Sequence, residues 1–141
     1  STEIISEKTT TDTTTAIPYD DIDVILSNDA NSNISAYQAL FGLWQENLNT
    51  NTADTACKQA RALSLSCLYK QGNLNNLKTY NRPAVLTLLN NDGDMRHITI
   101  SLIQDDYAIV YSDNTEYKIK LSELDKYWYG QFVLLWKKPS N

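Results

Sequence analysis

The chain has 141 residues, of which 42% are hydrophobic and 21% charged, with a net charge of −5 and a pI near 4.7. That length holds one ordinary domain and a tail rather than two cores. Lys and Arg never gather into the stripe that phosphate neutralisation requires, which excludes nucleic acid as a ligand class.

Residues 1–17 carry Thr9, Thr10, Thr11, Thr13, Thr14 and Thr15 with little to bury, so they are expected to form a disordered, Thr-rich linker ahead of a domain at 18–141. Tyr19 to Leu26 is mixed and is expected to pack only loosely. A helix is expected from Ser35 to Glu46, opened by a Ser35/Gln38 capping box and burying Tyr37, Leu40, Phe41 and Trp44 on one face. A second should run from Asp54, as N-cap, to Leu63. Leu65 to Tyr69 reads as a short strand, and Gly72-Asn73 introduces a brief helix with Leu74 and Leu77 on one side.

After it the period changes to that of strands. Pro83 to Leu89 is a nearly continuous apolar run, followed by the turn Asn90-Asn91-Asp92-Gly93. Residues 96–103 alternate, with Ile98, Ile100 and Leu102 on one face and His97, Thr99 and Ser101 on the other. Tyr107–Ser112 and Glu116–Leu121 follow as strands. A capping box at Ser122 and Asp125 opens a short helix presenting Leu124 and Trp128, Gly130 stops it, and Gln131–Lys137 is the last strand. Helices first and antiparallel strands second make the class α+β.

Little in the chain can hold a cofactor. Its one histidine, His97, and two cysteines, Cys57 and Cys67, leave a tetrahedral zinc site short of ligands. Gly42, Gly72, Gly93 and Gly130 are too scattered to cradle a phosphate. No cofactor, metal or small-molecule substrate is expected. The cysteines suit a disulfide in an oxidising compartment and two buried thiols in a reducing one. No apolar run approaches the roughly 18 residues of a membrane span. There is no signal peptide and the chain begins at Ser1, so a piece of a longer protein is expected. Trp44, Trp128 and Trp136 read as core or interface aromatics, and Tyr107, Tyr111, Tyr117, Tyr127 and Tyr129 as ordinary strand residues or an exposed aromatic patch.

One geometry carries chemistry. If the hairpin after 96–103 turns on Asp105, His97 faces Asp113 across the strands, with Cβ atoms about 5 Å apart. A carboxylate so placed orients an imidazole for catalysis. The plain alternative is an exposed polar pair at a sheet end, and a one-residue change of register abolishes the pairing.

The runs His97-Ile98-Thr99-Ile100-Ser101-Leu102 and Ala108-Ile109-Val110-Tyr111-Ser112-Asp113 resemble the second half of the bacteriocin-processing, papain-like cysteine peptidases. There a histidine opens one apolar strand and an aspartate closes the next, about sixteen positions on. Leu121-Ser122-Glu123-Leu124, Trp128, Gly130 and Phe132-Val133-Leu134-Leu135 continue the pattern, and Pro83-Ala84-Val85-Leu86 fits the strand before the histidine. The resemblance implies a papain-like fold, but setting Leu40 on the family's leucine puts Ser35 at the nucleophile position. Serine cannot form the thiolate–imidazolium pair on which such sites rely.

Over roughly 35–139 the chain is also similar to the periplasmic domain of the GspA/ExeA family, inner-membrane accessory ATPases of the general (type II) secretion pathway. Ala39-Leu40-Phe41-Gly42-Leu43-Trp44, Cys57, Ala60, Leu65, Cys67-Leu68, Gly72 and Asn81-Arg82-Pro83-Ala84-Val85-Leu86 carry this likeness. So does Trp128-x-Gly130-x-Phe132-x-Leu134-Leu135-Trp136-Lys137. It implies a periplasmic domain of a single-span inner-membrane protein, with the Thr-rich start leading from the membrane. The parent's ATPase domain would lie outside this chain and a peptidoglycan-binding module would follow Asn141. It further implies a GspB-type partner, a role in secretin assembly, and contact with the secretin or peptidoglycan through the wider protein. On this reading the domain is a non-enzymatic, degenerate peptidase with a vestigial His97 and Asp113, and Cys57 and Cys67 form a disulfide. The rival is a working cysteine peptidase or amidase using Cys57, His97 and Asp113. A third reading is an old cleft that still holds a peptide.

Overall fold

Strand Ala84–Leu89 (β2) shows why this chain needs helices on both sides of its sheet. Its even residues Ala84, Leu86 and Leu88 enter one apolar cluster with Leu77, Ile98 and Phe132, while Val85 enters another with Tyr37, Leu40, Phe41 and Leu135. A strand covered on both faces reads as a continuous apolar run, not as an alternation. This computed structural model describes residues 18–52 and 54–137. The expected linker at 1–17 lies outside the described residues.

Around β2 the sheet is built from β1 (Leu65–Gln71), β3 (Met95–Gln104), β4 (Tyr107–Ser112), β5 (Thr115–Lys120) and β6 (Trp128–Lys137). Their order is β1-β6-β2-β3-β4-β5, and every neighbouring pair is antiparallel. β2 to β5 form the meander expected from the turn chemistry, while β6 returns to lie between β1 and β2. Helices α2 (Asn33–Leu43) and α3 (Ala56–Ala62) cover one face. Helices α1 (Ile22–Ser27), α4 (Leu74–Tyr80) and α5 (Leu121–Tyr127) contribute to the cluster on the other. The α+β class holds, with helices before and among the strands.

Several local expectations are corrected. Tyr19–Leu26 does not pack loosely: Asp21 accepts the Asp23 N–H at 2.9 Å to start α1, which buries Ile22, Ile25 and Leu26. Helix α2 begins earlier than expected because Ser32, not Ser35, is its cap, accepting the Ser35 N–H at 3.1 Å. Ser35 is then a first-turn residue and the box with Gln38 does not form. Thr55 displaces Asp54 as cap of α3, and Asp54 instead meets Lys58 at 3.2 Å. Helix α4 has a complete capping box, made by Asn73 and Asn76. Helix α5 runs straight out of β5 with no side-chain cap, and Trp128 opens β6 rather than ending the helix.

The outer edge of β5 is not left bare. Asp20 donates its N–H to the Lys118 carbonyl at 2.8 Å, and its carboxylate accepts the Lys118 N–H at 2.8 Å. Tyr19 lies against the Lys118 ammonium, 5.1 Å from the ring centre, and its hydroxyl donates to Asp106.

Gly130 does not stop a helix either. It sits inside β6 at φ +101°, where a Cβ would come within 2.3 Å of the Gly72 carbonyl oxygen. Both the backbone conformation and the close approach demand glycine. Gly130→Ala is expected to lower unfolding stability by about 1–3 kcal/mol, measured by urea denaturation; an unchanged midpoint would refute the close-packing account.

Candidate functional site

Helix α2 and the residue before its cap are held against β3 by two hydrogen bonds and against β4 by one, none of them evident from the pattern of the sequence. The carbonyl of Asn31, one residue before the cap, accepts the His97 N–H at 2.9 Å. The Asn31 side chain is 2% exposed and fully used. It donates to the carbonyls of Ile25 at 2.6 Å and Asn28 at 3.1 Å, and accepts the Ser112 hydroxyl at 2.5 Å. One turn along, the Thr99 hydroxyl, fully buried, donates to the Ala36 carbonyl at 2.6 Å. The start of the helix that would carry a nucleophile is thereby tied to the strand that carries the histidine.

The ladder beside the histidine reaches the expected register but ends before His97. The β3–β4 turn is the two-residue Asp105-Asp106, so Gln104 pairs with Tyr107 and Leu102 with Ile109. An irregularity at Ser101 then shifts the ladder, which ends with Ile100 opposite Val110 and Thr99 opposite Tyr111. Asp113 lies beyond it in a second tight turn with Asn114, at φ 49° and 65°, and is exposed. Two positive φ values are what a type I′ hairpin turn requires. No hydrogen bond joins His97 to Asp113 among the described residues. The neighbour of His97 is Thr87 on the other flanking strand, whose hydroxyl lies 3.3 Å from Nδ1.

Burial lowers the His97 pKa below its ordinary value of 6.5. The unfolded chain therefore binds this proton at higher pH than the folded one. Its contribution to stability is full above about pH 6.5 and is lost as the pH falls from there toward the lowered folded pKa. A histidine paired with a thiolate would be raised instead.

Cys57 and Cys67 form a disulfide joining α3 to β1, with an S–S distance of 2.03 Å. A sulfur held in a disulfide is no thiolate nucleophile, so the rival arrangement of Cys57, His97 and Asp113 is not assembled in this structure. Closing the loop stabilises the fold by about 2–3 kcal/mol in the chain-entropy account. The Tyr69 hydroxyl lies 2.9 Å from Cys57 Sγ. Tyr37, under the disulfide-bearing layer, has its phenol pushed above the ordinary value by burial, and further by Tyr69 beside it. Between α2 and the sheet a cleft of about 450 Å³ is lined by Asn33, Tyr37, Tyr69, Val85, Thr87 and Phe132. It ends at the threonine that touches His97. Ser35 is exposed.

A helix whose first turn abuts a histidine-bearing strand of an antiparallel sheet is the arrangement of the papain-like fold. The peptidase domain of Streptococcus mutans ComA has this fold, with a TM-score of 0.53, 16% identity, and coverage of 85% of this chain and 97% of that one. The chain belongs to the GspA peptidase C39-like domain family, whose pattern matches residues 21–138. It is 26% identical over 107 residues to general secretion pathway protein A of Aeromonas hydrophila, covering 76% of this chain and 19% of that protein. A periplasmic domain of the EpsAB fusion protein of the Vibrio vulnificus type II secretion system superposes with a TM-score of 0.67 and 21% identity, over 79% of this chain and 49% of that one. The chain thus spans under half of each of these two relatives.

Two outcomes are expected. Asn31→Ala leaves the Ser112 hydroxyl and the Ile25 carbonyl without their partner, and unfolding stability should fall by about 2–4 kcal/mol; a loss within error in chemical denaturation would remove Asn31 from this role. The His97 ring protons, the only histidine signals of the chain, should titrate in NMR with a midpoint below 6.5. A midpoint above that value would point to an anionic partner.

Proposed function

We propose that this domain is a non-catalytic periplasmic module of a type II secretion accessory ATPase of the GspA kind. In this reading the parent is anchored by a single span in the inner membrane, and the domain supplies protein or cell-wall contacts while the secretin assembles. The observation that carries it is the state of the nucleophile. Ser35 stands at the start of the helix docked on the histidine strand, and both cysteines are joined to each other. His97 and Asp113 are then remnants, kept for packing and for the turn.

A GspB-type secretion protein is the partner this reading names, with the secretin or peptidoglycan reached through the wider protein. Among the described residues no helix is long and apolar enough to cross a membrane, which accords with the domain lying beyond the span. The disulfide accords with an oxidising compartment.

The intact periplasmic region should capture a GspB-type protein in pull-down, and deleting residues 18–141 should abolish the capture. His97→Ala should leave it unchanged. Capture unaffected by the deletion would defeat the contact-module reading. Capture lost with His97→Ala would instead assign the binding to the old cleft.

A further inference from the structure

On the sheet face away from α2, a small cavity of about 60 Å³ opens between the end of α4 and the irregular stretch of β3. Its lining includes Leu77, Lys78, Asn81, Arg82, Ser101 and Leu102. The lining contains two cations and no carboxylate. The ion pairs among the described residues join Lys58 to Asp54, Arg96 to Asp94 and Lys126 to Glu123, and neither Lys78 nor Arg82 takes part. In a chain of net charge −5, two cations lining one cavity with no carboxylate beside them among the described residues are suited to an anion.

The backbone sets the site in place. Asn81 is the left-handed cap of α4, at φ 51°, its N–H donating to the Leu77 carbonyl. Arg82 is confined to extended conformations by Pro83 behind it. The Asn81 amide makes no side-chain hydrogen bond among the described residues, so ammonium, guanidinium and amide donors all belong to the lining. Ser101 adds none, since its hydroxyl donates to the Ile109 carbonyl at 3.2 Å. The volume suits a carboxylate, about the space of two waters, and is too small for a nucleotide or a sugar ring. Leu102, 45% exposed at the rim, offers an apolar contact to a neighbouring side chain.

We propose that this pocket takes the side-chain carboxylate of an acidic residue flanked by an apolar one, on a segment of a partner protein. The proposal deepens the contact-module reading, on which it rests, by naming the chemistry of the partner.

The test titrates the isotope-labelled chain with N-acetyl-Leu-Glu-Leu-amide and with its Gln counterpart, following backbone amides by NMR. The Glu peptide should shift the amides around 78–82 and 101–102, and more weakly as salt is added. The Gln peptide should not shift them, and Arg82→Gln should weaken binding about tenfold. Lys78→Gln/Arg82→Gln, an exposed double change, should abolish the shifts without lowering the melting temperature. Equal response to Glu and Gln, or shifts retained in the double variant, would overturn the pocket. Larger shifts from a peptide with a free terminal carboxylate, or from a muropeptide stem, would overturn the side-chain assignment. Because the peptides are free in solution, failure here leaves the pull-down result standing or falling separately.

Discussion

The buried Asn31 ties together four regions of the chain at one point. Its donors end on the carbonyls of Ile25 and Asn28, its acceptor takes the Ser112 hydroxyl, and its backbone carbonyl takes the His97 N–H. Helix α1, the approach to α2, β3 and β4 are thereby set relative to one another. A buried amide has two donors and an acceptor to satisfy, and an imperfect fit would leave one of them bare at a cost comparable to a lost hydrogen bond. That makes the junction selective for one arrangement as well as stabilising.

This junction also holds the papain-like scaffold by contacts that need no chemistry. In a working enzyme the helix start and the histidine strand must be close for a reaction. Here the same closeness is maintained by Asn31 to His97 and by Thr99 to Ala36, contacts that involve no reacting atom. The imidazole has turned into a half-buried neighbour of Thr87, with burial disfavouring its charge. Packing and main-chain bonding hold the architecture, and on the proposed reading the pairing of acid, base and nucleophile has been lost.

What the sequence discloses follows from how local each signal is. β2 to β5 are legible because alternation and the Asn-Asp-Gly turn are short-range. The register near Thr99 agrees with expectation although the turn does not, since the irregularity at Ser101 compensates for the two-residue turn at Asp105-Asp106. Helix caps are misplaced where several candidates lie within three residues: Ser32 and Ser35, Asp54 and Thr55. Asn31 is hidden, because an asparagine in the stretch Asn28–Asn33 looks the same whether solvated or buried. The hairpin pattern places the partner of His97 on β4, but a central strand has two neighbours, and the pattern does not say which one a side chain leans toward. The disulfide comes through family resemblance, not spacing.

The bridge between Asp20 and Lys118 has a mechanical meaning. Residues 18–20 reach the body of the domain at the outermost strand, while β6 carries the chain away from the middle of the sheet. A pull on the incoming end is therefore resisted first by two hydrogen bonds and a tyrosine stacked on a lysine, and next by Ile22, Ile25 and Leu26 seated in the core. These contacts lie between the incoming end and the ladders of the central strands. The sheet is thus buffered from tension at its N-terminal attachment. The junction at Asn31 is loaded together with α1, because its side chain holds the Ile25 carbonyl.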